Sequence, residues 1–168
     1  MNRIQYSTVT AEEKPVTITF RTVEEFRNSA GTDLGAGDWF TVTQDRVDEF
    51  ADVTEDHQWI HVDTGRAAAS GLGSTVAHGY LTLSLIPRLS SDLFTFDAAG
   101  RAINYGLDRV RFPSFVRPGD RLRARGRVEW TRGIDDGGVL GCVRYTIDIE
   151  GRDAPACVAD ALMVVFSA

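Results

Sequence analysis

Apolar and polar positions change rhythm along the chain, and each change predicts a different kind of element. Residues 1–21 are polar and lack a clear period. Thr22 with Glu25 has the spacing of a capping box, which predicts a short helix over Val23 to Asn28. Gly31, Gly35 and Gly37 break the chain, and Trp39 to Thr43 reads as a short strand. Thr43 stands where it can cap a second helix, with Asp45 in the first turn. Val47, Phe50, Ala51 and Thr54 give that helix one apolar face. A short helical stretch, Arg66 to Ala69, precedes a glycine-punctuated loop, Ser70 to Ala77.

From Gly79 the pattern becomes apolar nearly all round: Gly79-Tyr80-Leu81-Thr82-Leu83-Ser84-Leu85-Ile86, then Leu89 and Leu93. This predicts a buried helix, kinked or ended by Pro87. The remainder reads as strands. Ile103 to Phe112 forms one strand whose in–out pattern shifts near Asp108, as at a bulge. Pro118-Gly119-Asp120 marks a turn. Leu122, Ala124, Gly126, Val128 and Trp130 alternate with Arg121, Arg123, Arg125, Arg127 and Glu129, the pattern of a half-buried strand. Gly133 to Gly138 is a hairpin loop. Val143, Tyr145, Ile147 and Ile149 alternate with Arg144, Thr146, Asp148 and Glu150, and a last strand runs from Cys157 to Phe166. A buried helix followed by about four long antiparallel strands predicts an α+β fold, a curved sheet wrapped around a central apolar helix. Arginines on one strand and carboxylates on its neighbour can pair across that sheet. The expected division is an N-terminal arm with a short helix, residues 1–33, and a main domain, residues 34–168.

Composition narrows the partners. The chain has 168 residues and a formal net charge of -6. An acidic protein gains no counterion-release affinity from a polyanion, so nucleic acid is not an expected partner. Lys14 is the only lysine, and all other basic charge is arginine. No apolar run reaches bilayer-spanning length, and Met1 to Thr10 lacks the apolar stretch of a signal peptide. Cys142 and Cys157 lie far apart and form no CxxC. The expectation is a reduced, cytoplasmic protein without a membrane partner.

The segment Asp56-His57-Gln58-Trp59-Ile60-His61 concentrates the reactive side chains. An Asp and a His of matched protonation can share one water, one taking a proton and the other giving one. Five residues apart on a continuous helix they would diverge by about 140°. The second helix must therefore end after Thr54 and the chain fold back, with Trp59 and Ile60 as packing anchors. A second feature is His78-Gly79, where the loop meets the apolar helix. The first N–H groups of a helix lack internal partners and carry its positive dipole end, and Gly79 lets a ligand approach the backbone. His57 and His61 also have i, i+4 spacing that could bind zinc with Asp56 or His78. The expected turn between them argues against it, and no metal is expected. His78 reads as a structural partner of the loop, and His57 as a solvated or loop-bonding side chain. The Arg121-Arg123-Arg125-Arg127 row reads as a salt-bridged strand face, with phosphate binding as the alternative. Arg109, Arg111 and Arg117 are equal candidates for phosphate contacts.

The run Ala51 to Asp63, the segment Val76-Ala77-His78-Gly79-Tyr80-Leu81-Thr82-Leu83, and Tyr105 to Phe112 followed by Gly119-Asp120 resemble the MaoC-like dehydratase family. That family includes (R)-specific enoyl-CoA hydratases and nodulation-N-like proteins, and the resemblance covers about Leu34 to Phe166. It implies a hotdog fold and reversible, (R)-specific hydration of a trans-2-enoyl-CoA. It implies Asp56 and His61 as the catalytic pair on water, and the Gly79 N–H as the donor to the thioester oxygen. Coenzyme A or an acyl-carrier protein would arrive as part of the substrate, with no separate cofactor, and the protein would be a homodimer. Many members have Asn-Pro between the catalytic residues; Gln58-Trp59 here resembles the nodulation-N-like branch. Two alternatives stand beside this. A hotdog thioesterase often carries a carboxylate on the central helix, whereas Gly79 to Ser91 has none. A non-catalytic acyl-thioester binding module would show no turnover.

Overall fold

The computed structural model describes residues 17–97 and 99–167. The expectations placed on residues 1–16, and on Lys14 among them, lie outside the described residues. In chain order the elements are β1 (Ile18–Phe20), α1 (Val23–Arg27), β2 (Asp33–Ala36), β3 (Phe40–Thr41) and α2 (Gln44–Thr54). Then come α3 (Trp59–Val62), α4 (Thr64–Ala69), α5 (Gly79–Ser84), α6 (Ile86–Leu89) and β4 (Phe94–Phe96). The last are β5 (Ala99–Arg111), β6 (Arg121–Gly133), β7 (Val139–Ile149) and β8 (Cys157–Ser167). The main sheet has the order β2-β6-β7-β8-β5, all antiparallel, with β3 also on β6. It curves around α5 and α6, the hotdog arrangement.

Local chemistry explains most of these elements. Thr22 accepts from the Glu25 N–H and starts α1, and Thr43 accepts from the Arg46 N–H and starts α2. The Glu25 carboxylate reaches back to the Arg21 N–H, one residue before the position of a capping box. Alternation along β6 buries Leu122, Ala124, Gly126 and Val128. Gly126 holds an inward position without a side chain because Leu34 and Leu93 already fill it, and an added Cβ would meet both at 3.1 Å. The bulge expected near Asp108 lies between Leu107 and Val110. Arg125 grips Asp148 with two hydrogen bonds of 2.7 and 2.9 Å, and Arg121 meets Glu150 at 2.8 Å. These members of the arginine row are thus salt-bridged to the next strand.

The structure departs from the hydrophobic pattern in three places. The helix that begins at Gly79 is not buried all round. Leu81, Leu85, Ile86 and Leu89 face the sheet, but Tyr80 is 71% exposed and Ser84 and Pro87 face outward. Pro87 has no N–H to give, and the hydrogen-bond pattern breaks at Leu85 although the backbone there stays right-handed helical. The polar stretch before residue 22 contains β1, whose pairing with β4 is parallel and long-range. Three residues are too few to show a period. Finally, Thr54 on α2 is exposed.

Phe20 and Phe26 from the N-terminal elements belong to the same buried cluster as Leu85, Leu93 and Val143. At the other end of the sheet, β5 has β8 as its partner among the described strands, and Arg101 to Arg109 are exposed on both faces. Tyr105, Leu107, Phe112 and Tyr80 form an exposed apolar surface there.

Candidate active site

The site forms where α2 ends. Glu55 takes a left-handed conformation, φ 59°, which turns the chain sharply after Thr54. A left-handed non-glycine residue costs about 1–2 kcal/mol, so the surrounding contacts must hold it. The reversal lets Asp56 and His61 approach from opposite sides. A carboxylate oxygen of Asp56 and one ring nitrogen each of His61 and His78 all lie within 4.8 Å of one another. Two hydrogen bonds of about 2.8 Å meeting at one oxygen span about 4.6 Å. The 4.8 Å limit on the separation of these atoms is thus about the span of one bridging water.

His61 is held from several directions. It lies on the one-turn helix α3 and is 7% exposed. Its Nδ1–H donates to the Val76 carbonyl at 2.6 Å. A carbonyl can only accept, so this bond assigns the proton to Nδ1 and leaves the Nε2 lone pair for chemistry. Gln44, the first residue of α2, donates to the His61 carbonyl at 2.8 Å and to Asp48 at 2.7 Å, and accepts from the Thr75 hydroxyl. The Val76 N–H donates to the Ile60 carbonyl at 2.9 Å. Burial pushes the His61 pKa below its ordinary value. The Val76 bond opposes that shift, His78 adds to it, and the Asp56 charge opposes it.

His78 bridges the two halves. It is 2% exposed, and its ring stacks on His61 with centroids 3.7 Å apart and planes 25° apart. Its Nε2–H donates to the backbone carbonyl of Asp56 at 2.9 Å. The next residue, Gly79, opens α5. An added Cβ at Gly79 would meet the Phe112 ring at 3.0–3.2 Å, so glycine is what lets that ring lie over the helix start.

Of the residues singled out from sequence, Asp56, His61, His78 and the start of α5 at Gly79 come together. His57 does not join them: its Nε2–H donates to Asp52 at 2.9 Å, on the solvent side. Trp59 and Ile60 are half-buried anchors, with Arg66 over the Trp59 ring at 4.3 Å. Arg109 is taken up by Asp160 at 2.9 Å, and Arg117 donates to the Leu72 carbonyl at 3.2 Å. Gln44, Thr75 and the Val76 carbonyl were missed, because a polar residue at a helix start or in a loop carries no signal until its partners are known.

One helical turn along α5 from Gly79, at Leu83, begins a cleft of about 350 Å³ between α5–α6 and β5, lined by Leu83, Ile86, Pro87, Tyr105, Leu107 and Leu162. It shares Ile86, Pro87, Asn104, Ala161 and Leu162 with a second cleft of about 260 Å³ that continues toward β4.

Residues 11–147 match the family described as MaoC like domain. The 3-hydroxyacyl-thioester dehydratase Z of Mycobacterium tuberculosis is 46% identical over 145 residues, covering 86% of this chain and 96% of that protein. Nodulation protein N of Rhizobium leguminosarum bv. viciae is 39% identical over 137 residues, covering 80% of this chain and 85% of that protein. Among solved structures, R-hydratase PhaJ1 from Pseudomonas aeruginosa superposes with a TM-score of 0.62 at 20% identity, covering 83% of each chain. That last likeness shows the fold. The chain belongs to the MaoC-like dehydratase family, in its nodulation-N-like branch, and is an enzyme of the hydratase/dehydratase class.

Proposed function

We propose that the protein catalyses the reversible, (R)-specific hydration of trans-2-enoyl thioesters to 3-hydroxyacyl thioesters, with Asp56 and His61 as the catalytic pair. The observation that carries this reading is their convergence across one water's span, with the His61 tautomer fixed by Val76. The His61 Nε2 accepts a proton from the water while its oxygen bonds to C3. The electron pair of the double bond moves through C2 onto the thioester oxygen, which the Gly79 N–H receives at the start of α5. C2 then takes a proton from the pair, so a hydroxyl and a hydrogen have been added and the pair is restored. Asp56 holds the second hydrogen of the water, and His78 keeps Asp56 and His61 in register. No step needs a metal or a bound cofactor.

The substrate arrives as a thioester of coenzyme A or of an acyl-carrier protein, its acyl chain in the cleft along α5–α6. The open edge of β5 and the apolar surface of Tyr80, Tyr105, Leu107 and Phe112 support a homodimer that covers them. The proposed setting is the cytoplasm, where such thioesters are made and used. No helix among the described residues is long and apolar enough to cross a membrane. Residues 34–168 are proposed as the hotdog unit and residues 1–33 as its arm.

The test is loss of enoyl absorbance on adding the protein to trans-2-enoyl-CoA, with chiral analysis of the product. (R)-3-hydroxyacyl-CoA is expected. Release of free thiol in place of hydration would favour a thioesterase, and binding without turnover a non-catalytic module.

A further inference from the structure

The two clefts adjoin along five shared lining residues, Ile86, Pro87, Asn104, Ala161 and Leu162, and the far one has a distinctive wall. Phe94 and Phe96 of β4 line it together with Ser90, Ala102, Tyr145 and Met163. Behind those two rings stand Phe20 of β1 and Phe26 of α1. Phe20 stacks on Phe96 at 5.5 Å and meets Phe94 edge-on at 6.0 Å, and Phe26 meets Phe96 edge-on at 5.3 Å. The backbone repeats the arrangement: the Ile18 N–H donates to the Leu93 carbonyl, and the Asp97 N–H to the Phe20 carbonyl. Among the described strands, β4 pairs with β1 and with no strand of the main sheet. The position of Phe94 and Phe96 is therefore set by the N-terminal arm.

The geometry points to this four-phenylalanine cluster as the floor of the acyl groove, with the arm acting as the element that limits chain length. This rests on the hydratase reading above, because it takes the thioester oxygen to lie at Gly79. From Gly79 to Ser90 the chain climbs about 16 Å at 1.5 Å per helical residue. An extended chain advances about 1.2 Å per bond. The groove thus holds a linear acyl chain of about fourteen carbons before its end meets the rings. Its walls are mostly apolar, with Ser84, Ser90, Ser91 and Asn104 among them, so aliphatic chains up to that length are the substrate class, and longer chains must displace a ring.

The experiment is hydration of C4, C8, C12 and C16 trans-2-enoyl-CoA by the full chain, with Phe94→Ala and Ala102→Phe as variants. Wild type should rise in kcat/KM to C12 and fall at C16. Phe94→Ala opens the floor and should raise the C16 to C8 ratio by about tenfold or more, the discrimination one methylene supplies in an apolar pocket. Ala102→Phe fills the groove from an exposed strand position and should lower the C12 to C8 ratio by a similar factor. Ala102 lies outside the buried cluster, so this variant reports even if Phe94→Ala fails to fold. A uniform loss at every length in either folded variant, or an unchanged profile, overturns the floor. Wild-type protein inactive at all lengths overturns the hydratase reading, and the floor with it.

Discussion

Two clusters in this protein place a carboxylate beside nitrogen bases, and they are built on opposite plans. On the sheet, Asp160 of β8 is buried and receives both Arg144, at 2.7 and 3.0 Å, and Arg109, at 2.9 Å. Every strong acceptor position faces a cation, and the Arg144 hydrogen bond, helped by Arg109, holds the Asp160 carboxyl below its ordinary pKa against desolvation. At the start of α5, the Asp56 side chain is 54% exposed, its carboxylate is 3.9 Å from the nearest His78 nitrogen, and a ring nitrogen of His61 lies within 4.8 Å of both groups. His78 Nδ1 is buried with no hydrogen-bond partner. The first cluster uses up its bonding capacity and stabilises. The second leaves capacity for a reacting molecule, at a cost borne by its neighbours.

The largest expected effect breaks the second cluster. If Asp56 and His61 share one water they act as a unit, and removing either abolishes most of what the pair supplies. Asp56→Asn and His61→Gln should each lower kcat by about 10²–10⁴, with folding nearly intact. The double variant should sit near the worse single one. Fully multiplicative losses in steady-state kinetics would place the residues on separate steps, and a folded, fast Asp56→Asn protein would remove the mechanism.

Next comes the oxyanion donor. Gly79 is the first residue of α5, a position that accepts proline, and His78 has ψ 138°, which suits a following proline. Gly79→Pro therefore deletes an N–H with little backbone conflict, though its ring must displace Phe112. A fall in kcat of about 10²–10³ is expected. Gly79→Ala keeps the N–H while meeting the same ring, and should lose far less. Equal losses in the two variants would assign the effect to Phe112.

Much of this was legible from residue order, and the boundary is instructive. Thr22 and Thr43 act within one turn, so their caps could be read locally. The alternation in β6 and β7 follows from one buried face. The exit of α2 after Thr54 followed from a geometric requirement, that Asp56 and His61 converge, and not from any helix-breaking residue; Glu55 gives no such signal. What stayed hidden depends on partners distant in sequence: Gln44 to Thr75, His61 to Val76, and β1 to β4. The exposed side of α5–α6 was misread because a run as apolar as Tyr80 to Ile86 does not mark which of its faces lacks a partner within the chain.

The first cluster should respond in the opposite currency. Asp160→Ala removes charge-assisted bonds from two arginines that are partly exposed and can turn to water. A loss of about 1.5–3 kcal/mol in denaturant unfolding is expected, with kcat per folded molecule unchanged. A change in kcat without a change in stability would reverse the roles of the two clusters.

Acid should separate them as well. The folded pKa of Asp160 lies below its unfolded value of 3.8, so its stabilisation is complete above that pH and is lost as pH falls through the folded value. The His61 pKa is also lowered, from 6.5. Below pH 6.5 the unfolded chain takes up the proton first, and stability declines as pH falls from there toward the folded value. The acid limb of kcat/KM should accordingly lie below pH 6.5, with His61 still a base near neutrality. A limb above 6.5 would mean that burial does not govern this imidazole.

The smallest expected effect is that of chelation, which should be none. Asp56, His61 and His78 could be taken for a metal-binding triad, since their ligating atoms lie within 4.8 Å of one another. The hydrogen bonds argue otherwise. His61 Nδ1 and His78 Nε2 already carry protons donated to carbonyls, which leaves His61 Nε2 and His78 Nδ1 as the lone pairs on offer. Lone pairs of imidazole lie in the ring plane. These two rings stack at 3.7 Å with planes inclined by 25°, so the lone pairs run in nearly parallel sheets. A shared zinc would need both to reach one point about 2.0–2.1 Å from each nitrogen, and the rings would have to unstack to do so. Exhaustive dialysis against a chelator should leave turnover unchanged, and elemental analysis should find no stoichiometric zinc. Loss of activity that added zinc restores would mean that His78 moves on binding, and that the pair acts through a metal-held water.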